Sequence, residues 1–179
     1  FILSLARRNH TSPFRHCVIK VFIKMPIFVE RQMFKHQVGV AVNSISGRYV
    51  DFSDEYYQPD EWRKASESIK QGSLLEEIDN PYAANKTFDE HMIDSEYAYK
   101  KLLRLGISKE QARMVLPLSL MTQCVMTFSI HAAAHLYNLR FDSHAQREIQ
   151  PFAYALGELC KQHFPWAWQA LTTKWNVGI

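Results

Sequence analysis

Three Ser/Thr-x-x-Glu/Gln pairs punctuate the second half of this chain: Thr87 with Glu90, Ser108 with Gln111, and Ser143 with Gln146. In such a pair the first side chain accepts a hydrogen bond from the backbone three residues on, while the second reaches back. Two otherwise unpaired donors at a helix start are thereby satisfied. The pairs therefore predict three helix starts between residues 87 and 143. The first helix carries apolar residues at Phe88, Met92, Ile93, Leu102, Leu103 and Leu105, predicting a buried stripe that Gly106 ends. The second meets Pro117, which breaks it, so Leu118 to Leu136 reads as a separate long helix. The third should end near Phe164-Pro165.

The first half has a different period. From His16 to Met25, Ile19, Val21 and Ile23 alternate with Lys20, Phe22 and Lys24, which predicts a strand with one face buried. Pro26 suits the first turn of a helix running to about His36, where its missing N–H costs nothing. Gly39 and the run Asn43 to Gly47 mark an irregular turn, and Arg48 to Phe52 reads as a second short strand. Between Tyr56 and Ala84 the pattern weakens. A short polar helix from Asp60 to Gln71 is expected there, with loops at Gly72 and Asn80-Pro81. The whole reads as one α+β domain over residues 1–179, with more helix than strand. Its opening residues read like the end of a helix already under way, so an N-terminal truncation is expected.

Composition narrows the function classes. The chain has 179 residues, 47% of them hydrophobic and 22% charged, enough for a real core and not the balance of a disordered chain. Its net charge of +3 is spread rather than striped, so no nucleic-acid partner is expected. No apolar run reaches the roughly 18 residues of a membrane helix, so no membrane partner is expected either. Cys17, Cys124 and Cys160 are far apart and form no CxxC pair, which fits small buried hydrophobes in a reducing compartment.

Two polar clusters interrupt the apolar segments. Arg31 to Tyr49 packs cations, a histidine, amides and a Ser-Gly-Arg turn into nineteen residues, and Leu139 to Gln150 echoes it about ninety residues later. Their side chains suit an anion and a planar heterocycle. In Ser46-Gly47-Arg48 a glycine-containing turn can aim N–H groups at an anion while the arginine adds a bidentate charge. Arg140 stands in an apolar Asn-Leu-Arg-Phe setting, where an arginine requires a partner. His131 and His135 have a spacing that can hold a metal, but no carboxylate accompanies them, so no metal is expected.

The blocks KMPIFVERQMFKHQ, NSISGRY, ARMVLP and NLRFDSHAQREI, in that order, resemble those of the flavin-dependent thymidylate synthases. The likeness runs from about His10 to Pro165, and the last block is its most specific part. The resemblance implies that family's mixed fold, with a central antiparallel sheet flanked by helices and a helix-rich C-terminal half. It also implies a homotetramer with subunit-shared active sites and a cytoplasmic location, bacterial or, for a viral member, in the host. The implied reaction converts dUMP to dTMP on bound FAD, with methylenetetrahydrofolate as carbon donor and NADPH as reductant. No cysteine nucleophile is needed.

Carried over by resemblance, Gln32, Ser44, Ser46, Gly47, Arg48, Arg113 and Arg140 would bind dUMP. Arg140 would act catalytically against the uracil ring. Ser12, Lys35, His36, Gln37, Asn43, Ser129, His131, His135 and His144 would face FAD, and His10 the folate side. The chain departs from the family pattern in several places. Lys35-His36-Gln37 stands for Arg-His-Arg with one residue inserted before Ser46, and Ser44 stands where an acidic residue is usual. Arg15 likewise replaces an acidic residue, while Ser129, His131 and His135 replace Asn and Arg contacts. Those departures leave two further readings open: a degenerate homologue that binds FAD or nucleotide without turnover, and a module using His131 and His135 to bind metal.

Overall fold

The computed structural model describes residues 1–48, 55–66 and 73–173. In chain order the elements are α1 (Ile2–Arg7), β1 (Val18–Pro26), α2 (Ile27–Met33), β2 (Val40–Ser44), β3 (Arg63–Ala65), β4 (Ser73–Glu77), α3 (Pro81–Arg104), α4 (Lys109–Ala112), β5 (Met121–Ser129), α5 (Ile130–Arg140), α6 (Gln150–His163) and α7 (Pro165–Thr172). This is the expected α+β class with a helix-rich second half. Two compact units divide the residues. The first holds Phe1–Ile23, Arg31–Asn43 and Val125–Ile179, and the second holds Lys24–Glu30 and Ser44–Cys124.

Most residues of a three-stranded sheet ordered β1–β5–β2 belong to the first unit. In β1 the period-two pattern holds as read: Ile19, Val21 and Ile23 are half-buried and Lys20, Phe22 and Lys24 exposed. The stretch from Leu118 to Leu136, expected to be one helix, is instead β5 followed by α5. Thr122, Cys124, Met126 and Phe128 alternate inward along β5, a period that long apolar side chains conceal, because an apolar run alone cannot separate strand from helix. Ser129 stops the strand and starts the helix, its hydroxyl accepting from the Ala132 N–H at 3.2 Å.

Three helices close the core of this unit. Leu136, Ile149, Leu156, Cys160 and Trp168 are buried, and Tyr137 stacks on Phe141 at 5.1 Å while meeting Trp168 edge-on at 5.2 Å. Gly157 makes this approach possible, since a Cβ there would lie 2.6 Å from the Tyr137 ring. The Ser143/Gln146 pair does not start a helix: a 3-10 turn at Arg147–Ile149 precedes α6, whose first proline is Pro151. The chain does leave α6 at Phe164, but Pro165 at once begins α7, which the sequence pattern did not reveal. At the end of α1, Asn9 takes φ +56°, and the N–H groups of Asn9 and His10 return to the Ala6 and Leu5 carbonyls.

The second unit is built on α3. Its cap is Asn80, accepting from Ala83 N–H at 3.1 Å with Pro81 in the first turn, so Thr87 lies nearly two turns inside the helix rather than at its start. There the Thr87 hydroxyl donates to the Ala83 carbonyl. Phe88, Met92, Ser95 and Tyr99 form the inward stripe, while Ile93 and Leu105 are exposed. The helix stops as expected: Gly106 at φ +82° lets Gly106 and Ile107 donate back to Leu103 and Leu102. Ser108 precedes α4 without a side-chain cap bond. Where a polar helix was expected from Asp60, residues 63–65 pair antiparallel with β4. The expected strand from Arg48 lies, after its first residue, outside the described residues.

Candidate functional site

Within the first unit, the loop following α2 and one side of α5 enclose a cleft of about 320 Å³. Its lining is Lys35, His36, Gln37, Val38, His131, Ala132, His135, Leu139 and Arg140. The two polar clusters of the sequence thus meet, although 104 positions separate His36 from Arg140. Gly39 closes the loop at φ +74°, and its carbonyl accepts from Ser129 N–H at 2.8 Å. That bond fixes the loop to the first residue of the α5 cap.

His36 stands at the back of the cleft, only 9% exposed, with its backbone N–H on the Met33 carbonyl. Its Nε2 accepts from Arg140 Nε at 3.0 Å, and the His135 ring lies edge-on at 5.8 Å. Burial, then the Arg140 charge, then His135, pull the imidazole pKa down to about 4, so the ring is neutral at neutral pH. His131 is also held below the usual histidine value, by burial and then by Arg15 and His135. A second, smaller hollow of about 160 Å³ lies along α5, lined in part by Asn9, Thr11, Phe14, His131, His135 and Asn138. His131 and His135 line both.

The other carried-over residues of this unit fall as follows. Gln32 and Gln146 join side chain to side chain. Ser129 is buried and occupied by its capping bond. Asn43 and His10 are exposed, and Ser12 is exposed at the start of a 3-10 turn, Ser12–Arg15. His144 is exposed beside Asp142, whose carboxylate takes both its backbone N–H at 2.9 Å and its Nδ1 at 2.8 Å.

Five expected nucleotide-binding residues belong to the second unit. Gly47 is buried in the turn, and Ser46 Oγ accepts from Arg48 N–H at 3.3 Å. Arg48 Nε lies 3.4 Å from Glu110 Oε2, and Arg113 Nε donates to the Glu110 carbonyl at 3.3 Å. Two guanidinium groups therefore converge on one residue. Ser44 donates to the buried Glu30 at 2.7 Å. Glu30 and Glu110 went unnoticed in the sequence, as did the apolar walls Val38, Ala132 and Leu139. Glu30 did carry a signal, a carboxylate directly after the apolar run from Met25 to Val29.

The lining fits a planar heterocycle: Val38, Ala132 and Leu139 offer apolar surface, and Lys35, Gln37 and Arg140 offer donors. Its volume sits at the low end of small-ligand sites, about 300–1,000 Å³. Among the described residues no three His, Cys, Asp or Glu side chains are arranged to hold a metal, and no helix is long and apolar enough to cross a membrane. Cys124 and Cys160 are buried as expected, but Cys17 is exposed, at the open start of β1.

The family model described as thymidylate synthase complementing protein, Thy1, matches residues 1–166. A flavin-dependent thymidylate synthase of Kosmotoga olearia is 39% identical over 170 residues, covering 94% of this chain and 74% of the relative. That of Thermus thermophilus is 40% identical over 169 residues, covering 93% of this chain and 60% of the relative. Among solved structures, the UMP/dUMP methylase PolB from Streptomyces cacaoi bound with 5-Br UMP superposes with a TM-score of 0.86 at 27% identity. That likeness covers 96% of this chain and 80% of the other.

Proposed function

The chain belongs to the thymidylate synthase complementing protein family, that of the flavin-dependent thymidylate synthases, and we propose that it is the enzyme converting dUMP to dTMP. In this reading it uses FAD as cofactor, methylenetetrahydrofolate as carbon donor and NADPH as reductant, and works as a homotetramer with shared sites. The observation that carries the reading is the cleft in which Arg140, held on neutral His36, faces Lys35, Gln37, His131 and His135.

FAD, when bound, supplies the redox chemistry and the carrier for the transferred carbon. The chain's own residues bind and orient. Lys35, Gln37, His131 and His135 would hold the flavin, with Val38, Ala132 and Leu139 against its plane and Ser12, Asn43 and His144 at its periphery. Ser129 would serve that site indirectly, through the cap that sets α5. Lys35 keeps a positive charge but not a planar fork, and Gln37 offers hydrogen bonds without charge.

Arg140 uses one N–H on His36, out of the five a guanidinium carries. Its remaining donors suit a uracil carbonyl, where they would stabilise negative charge as it develops. Arg48 and Arg113, together at Glu110, suit a phosphate, with Ser46 and Gly47 shaping the turn and Gln32 and Ser44 near the nucleotide. An incoming phosphate would compete with the Glu110 carboxylate for Arg48. His10 would lie on the folate side.

Purified protein supplied with FAD, NADPH and methylenetetrahydrofolate should oxidise NADPH and form dTMP only when dUMP is added. Flavin binding without dUMP-dependent product would establish instead the non-catalytic reading, which the Lys35-His36-Gln37 signature and Arg15 favour.

A further inference from the structure

His36 was expected to touch the flavin, yet it is the one member of Lys35-His36-Gln37 that is buried. What its ring visibly does is accept the Arg140 Nε–H at 3.0 Å. A guanidinium can only donate, so Nε2 must present a lone pair and the ring proton must sit on Nδ1. The ring itself has little freedom. Its backbone closes the last turn of α2 on Met33, which is fully buried, and His135 packs against its edge. Arg140, by contrast, is the last residue of α5, where a long side chain has many rotamers.

We propose that His36 is a positioning residue for Arg140: through Nε2 it fixes the guanidinium in the cleft rather than serving as a flavin donor. A neutral acceptor has an advantage here over the carboxylate that usually partners an arginine. It sets orientation without cancelling the charge, so the whole cation remains for the ligand. Lys35 and Gln37, both exposed at the mouth, are left as the flavin-facing members of the triplet. This assignment rests on the preceding reading that Arg140 faces the uracil.

Two variants and one spectrum test it. His36→Gln places an amide oxygen near the position of Nε2, and His36→Leu removes the acceptor. His36→Leu should keep its flavin yet lose roughly 100-fold in kcat for dUMP, the scale seen when a charge-stabilising donor is misplaced. His36→Gln should recover at least about tenfold of that loss. Nitrogen NMR of labelled histidine in the full chain should show His36 protonated at Nδ1 with a bare Nε2 at neutral pH. The Nε2 signal should shift in Arg140→Lys.

If His36→Gln is as impaired as His36→Leu, or if flavin is lost from both, the ring binds the cofactor and the proposal is overturned. If the wild-type protein shows no dUMP turnover at all, the functional reading fails separately, and the spectrum still decides. A signal that moves in Arg140→Lys sustains the positioning role, and an unmoved one refutes it.

Discussion

Gly39 links the loop of the cleft to the helix that forms its wall, and Gly39→Ala tests that link. The perturbation has two parts. At φ +74° an alanine pays left-handed backbone strain, about 1–2 kcal/mol. Its Cβ would also lie 2.6 Å from Ser129 Oγ, so the hydroxyl must leave the Ala132 N–H that it caps. Losing such a cap costs about 1 kcal/mol. The sum is about 2–3 kcal/mol, or roughly 4–12 °C in Tm for a chain of this length at about 2–4 °C per kcal/mol. Gly106→Ala is the control, since Gly106 has a similar φ of +82° but no atom within 4 Å of an added Cβ. It should cost the backbone part alone, about 1–2 kcal/mol. Equilibrium urea denaturation followed by circular dichroism, at one protein concentration without ligands, compares them. In a Ser129→Ala background the Gly39→Ala cost should fall to that of Gly106→Ala, because the two sites touch and their effects cannot add. Equal costs for Gly39→Ala and Gly106→Ala in the wild-type background would refute the argument.

Three further outcomes follow from the same geometry. His36 titrates near 4 when folded against 6.5 as its ordinary value, so the unfolded chain takes up the proton first as pH falls. Stability is therefore full above about pH 6.5 and declines towards pH 4, by about 3 kcal/mol at 1.36 kcal/mol per pH unit. Urea midpoints between pH 4 and 7 measure this slope, and His36→Gln should flatten it. Burial and the nearby Glu30 push the Cys124 thiol up to about 11, and burial pushes Cys160 up to about 12. A disulfide reagent should therefore modify the exposed Cys17 quickly and the other two only on unfolding, with Cys17→Ser removing the fast phase. Arg48→Ala should weaken dUMP binding about 10- to 100-fold, the loss of a charge-assisted contact. By calorimetry it should leave stability nearly unchanged, because its pairing with Glu110 is exposed and worth about 0–1 kcal/mol.

How far the fold could be read from the chain depended on where period and punctuation agreed. β1 was legible because Lys20 and Lys24 mark one face and Ile19, Val21 and Ile23 the other, and the end of α3 because a positive φ favours glycine at the position of Gly106. β5 was not, because Met121 to Ser129 mixes methionine, cysteine and phenylalanine with no charge to mark an outer face. Ser108 does stand at the start of α4, but the Thr87 and Ser143 pairs misled for a physical reason. A Thr or Ser three residues before Glu or Gln also occurs inside helices, where Asn80 with Pro81 supplied the stronger start for α3. In the site, Lys35, His36, Gln37 and Arg140 were legible as residues. That His36 accepts from Arg140 was not, since only the folding of the loop after α2 against α5 brings positions 36 and 140 together.

The most direct test of the account is a titration of the purified protein with FAD, followed by flavin absorbance and fluorescence, with and without dUMP. The account predicts saturable FAD binding and a second spectral change when dUMP is added, as the nucleotide enters beside the flavin. It further predicts that Arg140→Ala keeps the first change and loses the second. A folded protein that binds no FAD, or a bound flavin indifferent to dUMP, would contradict the assignment of this cleft.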